Sequence, residues 1–193
     1  MTSATQPITV VPATAEHWAD LETVFGTRGD AARCFCQFYL TVGRAYEDSA
    51  ERNREALCAQ VSQQPPPGLL AYAGDEPAGW IQVGPRGSYP RITTNRRTAA
   101  LESDGVWRCT CFVVRVGHRR KGVARALLDA AIEFARDQGA EVLEGHPVDL
   151  ATRVGRTTSA ELYHGALSMF LDTGFTEVLR TGRDRPVVRL ALR

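Results

Sequence analysis

Basic side chains cluster at one point of the chain, between an apolar segment and a helix-like segment. Five Lys or Arg residues lie between positions 115 and 125, although the chain of 193 residues has a formal net charge of only +1. The first amides of a helix have no intrahelical acceptor and carry partial positive charge, so a basic turn that enters a helix suits a phosphate or pyrophosphate. Gly122 and Ala124 are small, which lets such an anion approach the backbone closely.

Strands and helices alternate around this turn. Apolar runs bounded by turn residues predict strands at 8–11, 69–73, 78–83, 106–114 and 141–144, and a closing hairpin at 176–180 and 187–192. Apolar residues at helical spacing predict helices at 15–25, 49–62, 122–138 and 159–172. Residues 26–46 are too apolar for a simple surface loop, whereas 84–97 are rich in Gly, Pro and Arg and are predicted to form one. The order indicates a single α/β (α+β) domain over residues 1–193.

The composition excludes several classes of protein. With 44% hydrophobic and 23% charged residues, the chain is not expected to be disordered or fibrous. The balance of 23 Lys and Arg against 22 Asp and Glu argues against a globally basic nucleic-acid binder and against a membrane-surface protein. Residues 1–14 lack the pattern of a secretory signal, and the five cysteines are odd in number, so we expect free thiols and a cytoplasmic location.

Residues 119–124, with the sequence Arg-Arg-Lys-Gly-Val-Ala, resemble the [Q/R]-x-x-G-x-[G/A] signature of the GNAT superfamily of acyl-CoA-dependent N-acetyltransferases. An apolar strand precedes them, and an amphipathic helix and another strand follow. Residues 166–175 are similar to the family's late-helix pattern A-x-x-x-Y-x-x-x-G-F. The resemblance covers nearly the whole chain and implies one GNAT-like domain, with a central mixed, mostly antiparallel sheet flanked by helices.

This resemblance also implies a reaction and a cofactor site. The reaction would be direct attack of a primary amine on the thioester of acetyl-CoA in a ternary complex. The backbone of Phe112, Val113 and Val114 would pair with the pantetheine arm, in a gap beside the strand at 141–144. The pyrophosphate would lie on the basic turn, held by Arg119, Arg120, Lys121, Gly122, Val123, Ala124 and Arg125.

A substrate ammonium must lose a proton before it attacks, so the reaction needs a base. Glu144 and His146 alternate onto one face at the end of their strand, beside the position that the resemblance implies for the acetyl group. Partial burial would raise the pKa of the Glu144 carboxyl toward neutrality. We expect the base to be Glu144 or His146; alternatively, Glu144 pairs with one of the many arginines. Asp149 is a further candidate for binding a cationic amine.

This sequence departs from the family pattern at the residue that protonates the leaving thiolate. The family usually gives that role to the Tyr of the late-helix pattern, and Phe170 occupies the position here. Tyr163 lies seven residues earlier, on the same face of the predicted helix, and is the alternative donor. Ser168 and His164 are weaker donors on other faces.

Two C-x-C pairs raise the question of a metal. Cys109 and Cys111 lie two apart on a strand and are predicted to face the same way, and with Cys34 and Cys36 they offer four thiolates for zinc. Neither spacing matches the common ligand pairs, and cysteine is often a small buried residue, so we predict no metal. Residues 34–39 are alternatively a lining of the acceptor pocket.

The acceptor is predicted only as a small-molecule or peptide amine. Arginines in the loop at 84–97 either lie in solvent or attract an anionic or amino-acid-like substrate; they are Arg86, Arg91, Arg96 and Arg97. A non-catalytic acyl-CoA-binding sensor is the alternative function, favoured by Phe170. Nucleic-acid binding by the basic turn would require a steep salt dependence, and the near-neutral charge weighs against it. A homodimer, the commonest symmetric assembly, is left open.

Overall fold

One sheet of seven strands runs through the part of the chain that the computed structural model describes, which is residues 6–42, 49–155 and 161–192. The strands are β1 (Ile8–Pro12), β2 (Gly68–Ala73), β3 (Glu76–Pro85), β4 (Val106–Val114), β5 (Val142–Gly145), β6 (Thr176–Gly182) and β7 (Arg185–Ala191). Their order across the sheet is β1-β2-β3-β4-β5-β7-β6, and β4 and β5 are parallel while the other neighbours are antiparallel. The predicted mixed, mostly antiparallel sheet is confirmed.

Helices cover both faces of this sheet. They are α1 (Trp18–Phe25), α2 (Gly29–Cys34), α3 (Ala50–Gln60), α4 (Pro90–Thr93), α5 (Val123–Asp137) and α6 (Leu167–Leu171). Single 3-10 turns lie at Ala15–His17, Arg86–Ser88, Val116–His118 and Glu161–His164. Among the described residues, no helix is both long enough and apolar enough to cross a membrane.

Alternation along the strands divides the apolar side chains between two cores. Leu69 and Ile81 belong to the core that contains Leu127 of α5. Leu70 and Trp80, one residue away on each strand, belong to the core under α1 and α3. Because successive side chains of a strand point to opposite faces, the continuous apolar runs in β2 and β3 are what a sheet covered on both sides requires.

Strands β4 and β5 separate soon after they begin. They pair from Val106–Val142 to Arg108–Glu144 only. The register against β3 shifts just beyond this point, since Gln82 opposes Cys111 while the next residue, Val83, opposes Cys109. Residue 110 is therefore an extra residue of β4, a β-bulge that bends the strand and increases its local twist. Beyond Arg108, β4 pairs with β3 alone within the described residues, so its other edge, here called the open edge, has no strand beside it as far as Val114. Side chains meet this edge at two points, since the His164 ring bonds the Thr110 backbone and Arg119 donates to the Val114 carbonyl.

The bulge overturns the predicted orientation of the paired cysteines. Cys109 lies in the core against α5, while Cys111 lies in the opposite core, close to Cys36. The extra residue between them cancels the two-residue period on which the prediction rested. No cluster of three or more metal-binding side chains occurs within the described ranges.

The predicted helix over 159–172 is wrong in its continuity; residues 159 and 160 lie outside the described residues. A 3-10 turn ends at His164, and α6 begins at Leu167. Gly165 between them has a φ of 77°. Its carbonyl accepts a hydrogen bond of 2.9 Å from the Val148 amide, and the Val148 carbonyl accepts one of 2.8 Å from the Leu167 amide. These bonds to Val148 take the place of helical ones, so the chain crosses as a short bridge instead of a continuous helix.

The region predicted as a loop at 84–97 also has more structure than expected. Strand β3 extends to Pro85, a 3-10 turn follows, and α4 begins at Pro90. Proline suits the first position of a helix because its missing amide has no intrahelical partner there. This short helix brings Arg91 toward the end of β5, where the functional residues collect.

Helix α5 lies so close to β3 that only glycine fits at residue 79. A Cβ on Gly79 would lie 2.8 Å from Cγ1 of Val123, 3.0 Å from the carbonyl oxygen of Val113 and 3.2 Å from Cδ1 of Leu127. Val123 is the first residue of α5. This contact therefore fixes where the basic turn ends relative to the sheet.

We expect Gly79→Ala to lower the free energy of unfolding by about 1–3 kcal/mol, because the added methyl forces α5 away from the sheet. The matched control is Gly87→Ala, since a Cβ at that position would meet nothing within 4 Å. Chemical denaturation of the two variants and the parent protein measures the difference. Equal stability of the two variants would contradict the packing described here.

Candidate functional site

The basic turn presents a row of unbonded backbone amides. Throughout the described chain, no protein acceptor is found for the amides of residues 120–125, and α5 has no side-chain cap. Positive φ angles at Arg120 (58°) and Gly122 (86°) turn the backbone so that successive N–H groups can face one concavity. Arg119, Arg120, Lys121 and Arg125 are exposed around it. This arrangement of amides and cations is what a pyrophosphate requires.

The turn follows directly from the open edge of β4. The guanidinium of Arg119 donates to the Val114 carbonyl at 3.1 Å, which ties the turn to the end of the strand. Phe112 is buried, whereas Val113 and Val114 are half-buried. The structure thus brings together the two groups of predicted cofactor residues, the strand segment and the turn. At the turn only the backbone of Val123 is available to a ligand, because its side chain packs in the core against Gly79.

A cavity of about 720 Å³ lies beside the point where β4 and β5 separate. Its walls come from the segment after α2, from α4 and the residues that follow it, and from the 3-10 turn at Glu161–His164. The start of β4, the residue after β5 and the β6–β7 hairpin complete them. The lining residues are Phe38, Tyr39, Val42, Arg91, Ile92, Thr94, Asn95, Arg97, Thr98, Arg108, His146, Tyr163, His164, Thr181 and Arg185. Predicted site residues His146 and Tyr163 are among them, and so are two of the four loop arginines, Arg91 and Arg97.

Glu144 does not line this cavity; it is the centre of a buried ion cluster. Its side chain is fully buried, and Arg86 and Arg108 both donate to Oε1, the former at 3.2 Å. Arg189 donates to Oε2 through Nε at 2.9 Å and through Nη2 at 2.8 Å. Arg108, Glu144 and Arg189 are cross-strand neighbours on β4, β5 and β7. The alternative of pairing with arginines is therefore the one that the structure shows.

The expected rise in the Glu144 pKa is wrong. Burial alone would raise the pKa of this carboxyl, but the charges of Arg108, Arg189 and Arg86 outweigh it and hold the pKa below its usual value. A carboxylate that is ionised, buried and shared by three guanidiniums is a poor proton acceptor. Sequence reasoning failed here because the three partners are far apart in the chain.

His146 lies just after β5 and has a neutral ring at pH 7. Its Nε2 lies 2.9 Å from Oγ1 of Thr181, and the Thr181 hydroxyl donates its own proton to the Arg185 carbonyl at 3.0 Å. A proton on Nε2 of His146 fits this contact, because the Thr181 hydroxyl can then accept from it. Burial, then the charges of Arg108 and Arg185, lower the pKa of His146 to about 4, so the ring is neutral at pH 7.

Three further rings lie on one side of the cavity next to each other, and one of them, His164, is adjacent to His146. Its ring centroid lies 5.8 Å from that of His164, which in turn lies 3.9 Å from Tyr163 and 5.9 Å from Tyr39. The Tyr39 hydroxyl is 3.1 Å from Nε2 of His164. Burial, then the nearby His146, Arg185 and Arg108, lower the pKa of His164 well below its usual value. Burial raises the pKa of Tyr163, so its hydroxyl keeps its proton at neutral pH.

Phe170 has a structural position and no polar role. It is fully buried, and its ring makes edge contacts with Phe112 and Phe175 at centroid distances of 6.1 and 5.0 Å. Because the predicted helix is broken at Gly165, Tyr163 and Phe170 do not share a helical face, yet Tyr163 still reaches the cavity. Asp149, expected to bind a cationic amine, instead pairs with Arg180 at 2.9 Å and lies outside the cavity lining.

Among the cavity residues that the sequence analysis did not name are Arg108 and Arg185. Tyr39 lies in a segment that the sequence already suggested as pocket lining. Arg108 interrupts the apolar run of β4, and a buried charge in a strand is a usable signal of a polar partner. Nothing local marks Arg185, which reaches the cavity through the β6–β7 hairpin.

Comparison with known proteins agrees with this fold. The family model for the acetyltransferase (GNAT) family matches residues 32–165, more than half of the chain, and the chain belongs to this family. No curated protein matches the sequence.

Among solved structures, the fold is similar to an N-acetyltransferase from Staphylococcus aureus Mu50 (14% identity, 97% of this chain and 99% of that one, TM-score 0.57). It is also similar to yncA from Salmonella typhimurium, solved with its cofactor acetyl-CoA (15% identity, 96% of this chain and 94% of that one, TM-score 0.54). A third similar structure is the PaiA N-acetyltransferase from Thermoplasma acidophilum in complex with coenzyme A (15% identity, 96% and 99%, TM-score 0.54).

We expect Glu144→Gln to lower the free energy of unfolding by about 3–5 kcal/mol, because it leaves three largely buried guanidiniums without a counter-charge. Glu133→Gln is the matched control, since Glu133 pairs with Arg136 on the surface of α5. Urea titration at pH 7 measures both variants. A loss for Glu144→Gln no larger than that for the control would show that the cluster does not stabilise the fold.

Proposed function

We propose that this protein transfers the acetyl group of acetyl-CoA to a primary amine by direct attack in a ternary complex. The observation that carries the proposal is the continuity of three features: the unbonded amides of residues 120–125, the open edge of β4, and a cavity that contains a neutral histidine. Together they offer a place for a pyrophosphate, an extended arm and an amine, in that order along one path.

The residues present fit acetyl-CoA. The amides at 120–125, with the side chains of Arg120 and Lys121 beside them, would hold the pyrophosphate. The open edge of β4 up to Val114 would hydrogen-bond the two amides of the pantetheine arm as a further strand would. Acetyl-CoA supplies a thioester, which is an activated acyl group. Two of the structurally similar proteins were solved with acetyl-CoA or coenzyme A, which supports this donor.

The cavity residues have separate tasks in the transfer. His146 accepts the ammonium proton at Nδ1, and the neutral amine then attacks the thioester carbonyl. A C–N bond forms and the C–S bond breaks, so the sulfur leaves as a thiolate; the attacking nitrogen then loses its second proton, which replaces the one that Tyr163 gives to the sulfur. The Tyr163 hydroxyl, which is in the cavity and protonated, donates a proton to that sulfur, a role that Phe170 cannot fill.

A non-catalytic acyl-CoA sensor is the alternative that Phe170 suggested. The cavity supports catalysis instead, because it holds a base and a hydroxyl donor even though the late-helix tyrosine is missing. Turnover separates the two functions, since a sensor binds acetyl-CoA without releasing coenzyme A to an amine.

We expect His146→Gln to lower kcat by about 10²- to 10⁴-fold, the usual range for loss of a general base, while acetyl-CoA binds as before. Glutamine can still donate to Thr181, so the variant removes the proton acceptor and keeps the local hydrogen bond. Thiol release in the presence of amines gives kcat, and calorimetry gives the acetyl-CoA affinity. The control is His17→Gln, at the start of α1 and outside the cavity.

Each result has a definite meaning. Loss of turnover with unchanged acetyl-CoA binding supports the assignment of His146. Full turnover in the variant removes His146 as the base. Absence of acetyl-CoA binding by the parent protein would refute the proposed function itself.

A further inference from the structure

Positive charge dominates the cavity. Within the part of the chain that the structure describes, its lining contains four arginines and no carboxylate; the arginines are Arg91, Arg97, Arg108 and Arg185. The two histidines of the lining are neutral at pH 7, because both pKa values lie below the usual value. Any acceptor that enters this space therefore meets a wall that is positive on balance.

Two of these arginines have unused capacity for an anion. Arg108 is 2% exposed, and its Nε has no hydrogen-bond partner although the same guanidinium donates to Glu144. A buried donor without an acceptor is costly, and a ligand oxygen would remove that cost. Arg185 is half-buried, and in the described ranges no ion pair joins its side chain to a carboxylate. By contrast, the guanidinium of Arg97 donates to the Thr181 carbonyl at 2.8 Å.

Arg108 and Arg185 both lie near the base. Both of their charges act on the rings of His146 and His164, whose centroids are 5.8 Å apart. The Thr181 hydroxyl that fixes the His146 ring is itself held by the Arg185 carbonyl at 3.0 Å. An anion held by either guanidinium would thus lie in the cavity that also contains His146.

We propose that the acceptor is a small primary amine that also carries an anionic group, and that Arg108 and Arg185 bind this group while the amine faces His146. This inference rests on the proposed acetyltransferase function and narrows its substrate class. An amino-acid carboxylate and a phosphomonoester share the required chemistry, since guanidinium groups bind both through paired hydrogen bonds.

Coulomb interactions explain why the cavity selects such an acceptor. A diamine or a lysine side chain brings positive charge toward four arginines, whereas a zwitterion or an anion is attracted to them. The same positive surroundings lower the pKa of the bound ammonium, so a larger fraction of it is present as the neutral amine. One feature of the wall thus binds the acceptor and prepares it for attack.

Matched acceptors test the inference on the full-length protein. Glycine is compared with glycinamide, L-phenylalanine with L-phenylalaninamide, and O-phosphoethanolamine with ethanolamine; 1,4-diaminobutane is the cationic probe. Thiol release gives kcat/KM for each, and calorimetry gives the affinity of each probe for the protein saturated with coenzyme A. We expect at least one carboxylate or phosphate member to exceed its partner by about tenfold or more in either measurement. Comparing the phosphate pair with the amino-acid pairs identifies the kind of anionic group that the cavity binds.

Variants of one arginine show whether the preference arises where the structure places it. Arg185→Gln is expected to raise KM for the preferred anionic acceptor by about ten- to hundredfold, while KM for the partner that lacks the anionic group changes little. Arg185→Lys recovers part of the loss, because it keeps the charge without the paired donors. Arg183→Gln, an exposed position two residues away in the same hairpin and outside the cavity lining, is the control and is expected to behave as the parent protein.

The outcomes separate this inference from the proposed function. Lack of acetyl-CoA binding removes both. Acetyl-CoA binding together with equal or better use of the amides or the diamine overturns the substrate class and leaves the acetyltransferase intact. If no probe is acetylated, the measured affinities test the inference. It is overturned if no anionic member binds more tightly than its partner. It is also overturned if a preference for the anionic member persists in Arg185→Gln.

Discussion

A single buried carboxylate determines how the centre of this sheet is arranged. Glu144 on β5 lies between Arg108 on β4 and Arg189 on β7, its direct cross-strand neighbours, and Arg86 reaches it from the turn after β3. Burial of so many charges is tolerable only because each guanidinium finds this carboxylate. The cluster therefore joins four segments at the last residue pair before β4 and β5 part, and the open edge of β4 begins beside it.

The cluster also determines the electrostatics of the cavity. Three guanidiniums share one carboxylate, so positive charge remains, and Arg108 carries part of it to the cavity wall. That charge, together with burial, keeps His146 neutral. The neutral state of His146 at physiological pH thus depends in part on the same interaction that holds the strands. Stability and chemistry depend here on the same group.

Much of the fold could be predicted from the sequence, because periodicity and turn residues are local signals. Helix α5 and the strand before it follow from apolar spacing, and the basic turn follows from its composition. The bulge at residue 110 could not be predicted, because it depends on the register against β3, and the orientation of Cys111 changed with it. Likewise, the break at Gly165 arises from bonds to Val148, seventeen residues earlier in the chain.

The site was predictable only where its residues are contiguous. Residues 119–125 are contiguous and carry their own signal, and the structure leaves the amides of residues 120–125 unbonded as an anion site requires. The cavity instead collects residues from separate segments, and the pKa of Glu144 moved opposite to expectation because its three partners are distant in sequence. His146 remained a candidate, since its place at a strand end does not depend on those contacts.

The most direct test of this account is amide hydrogen exchange of the full protein with and without acetyl-CoA. Acetyl-CoA is expected to slow amide exchange mainly in two segments: the unbonded amides of residues 120–125, and the open edge of β4 from Cys109 to Val114. Protection confined to other parts of the chain, or unchanged exchange in both segments at saturating acetyl-CoA, would contradict it.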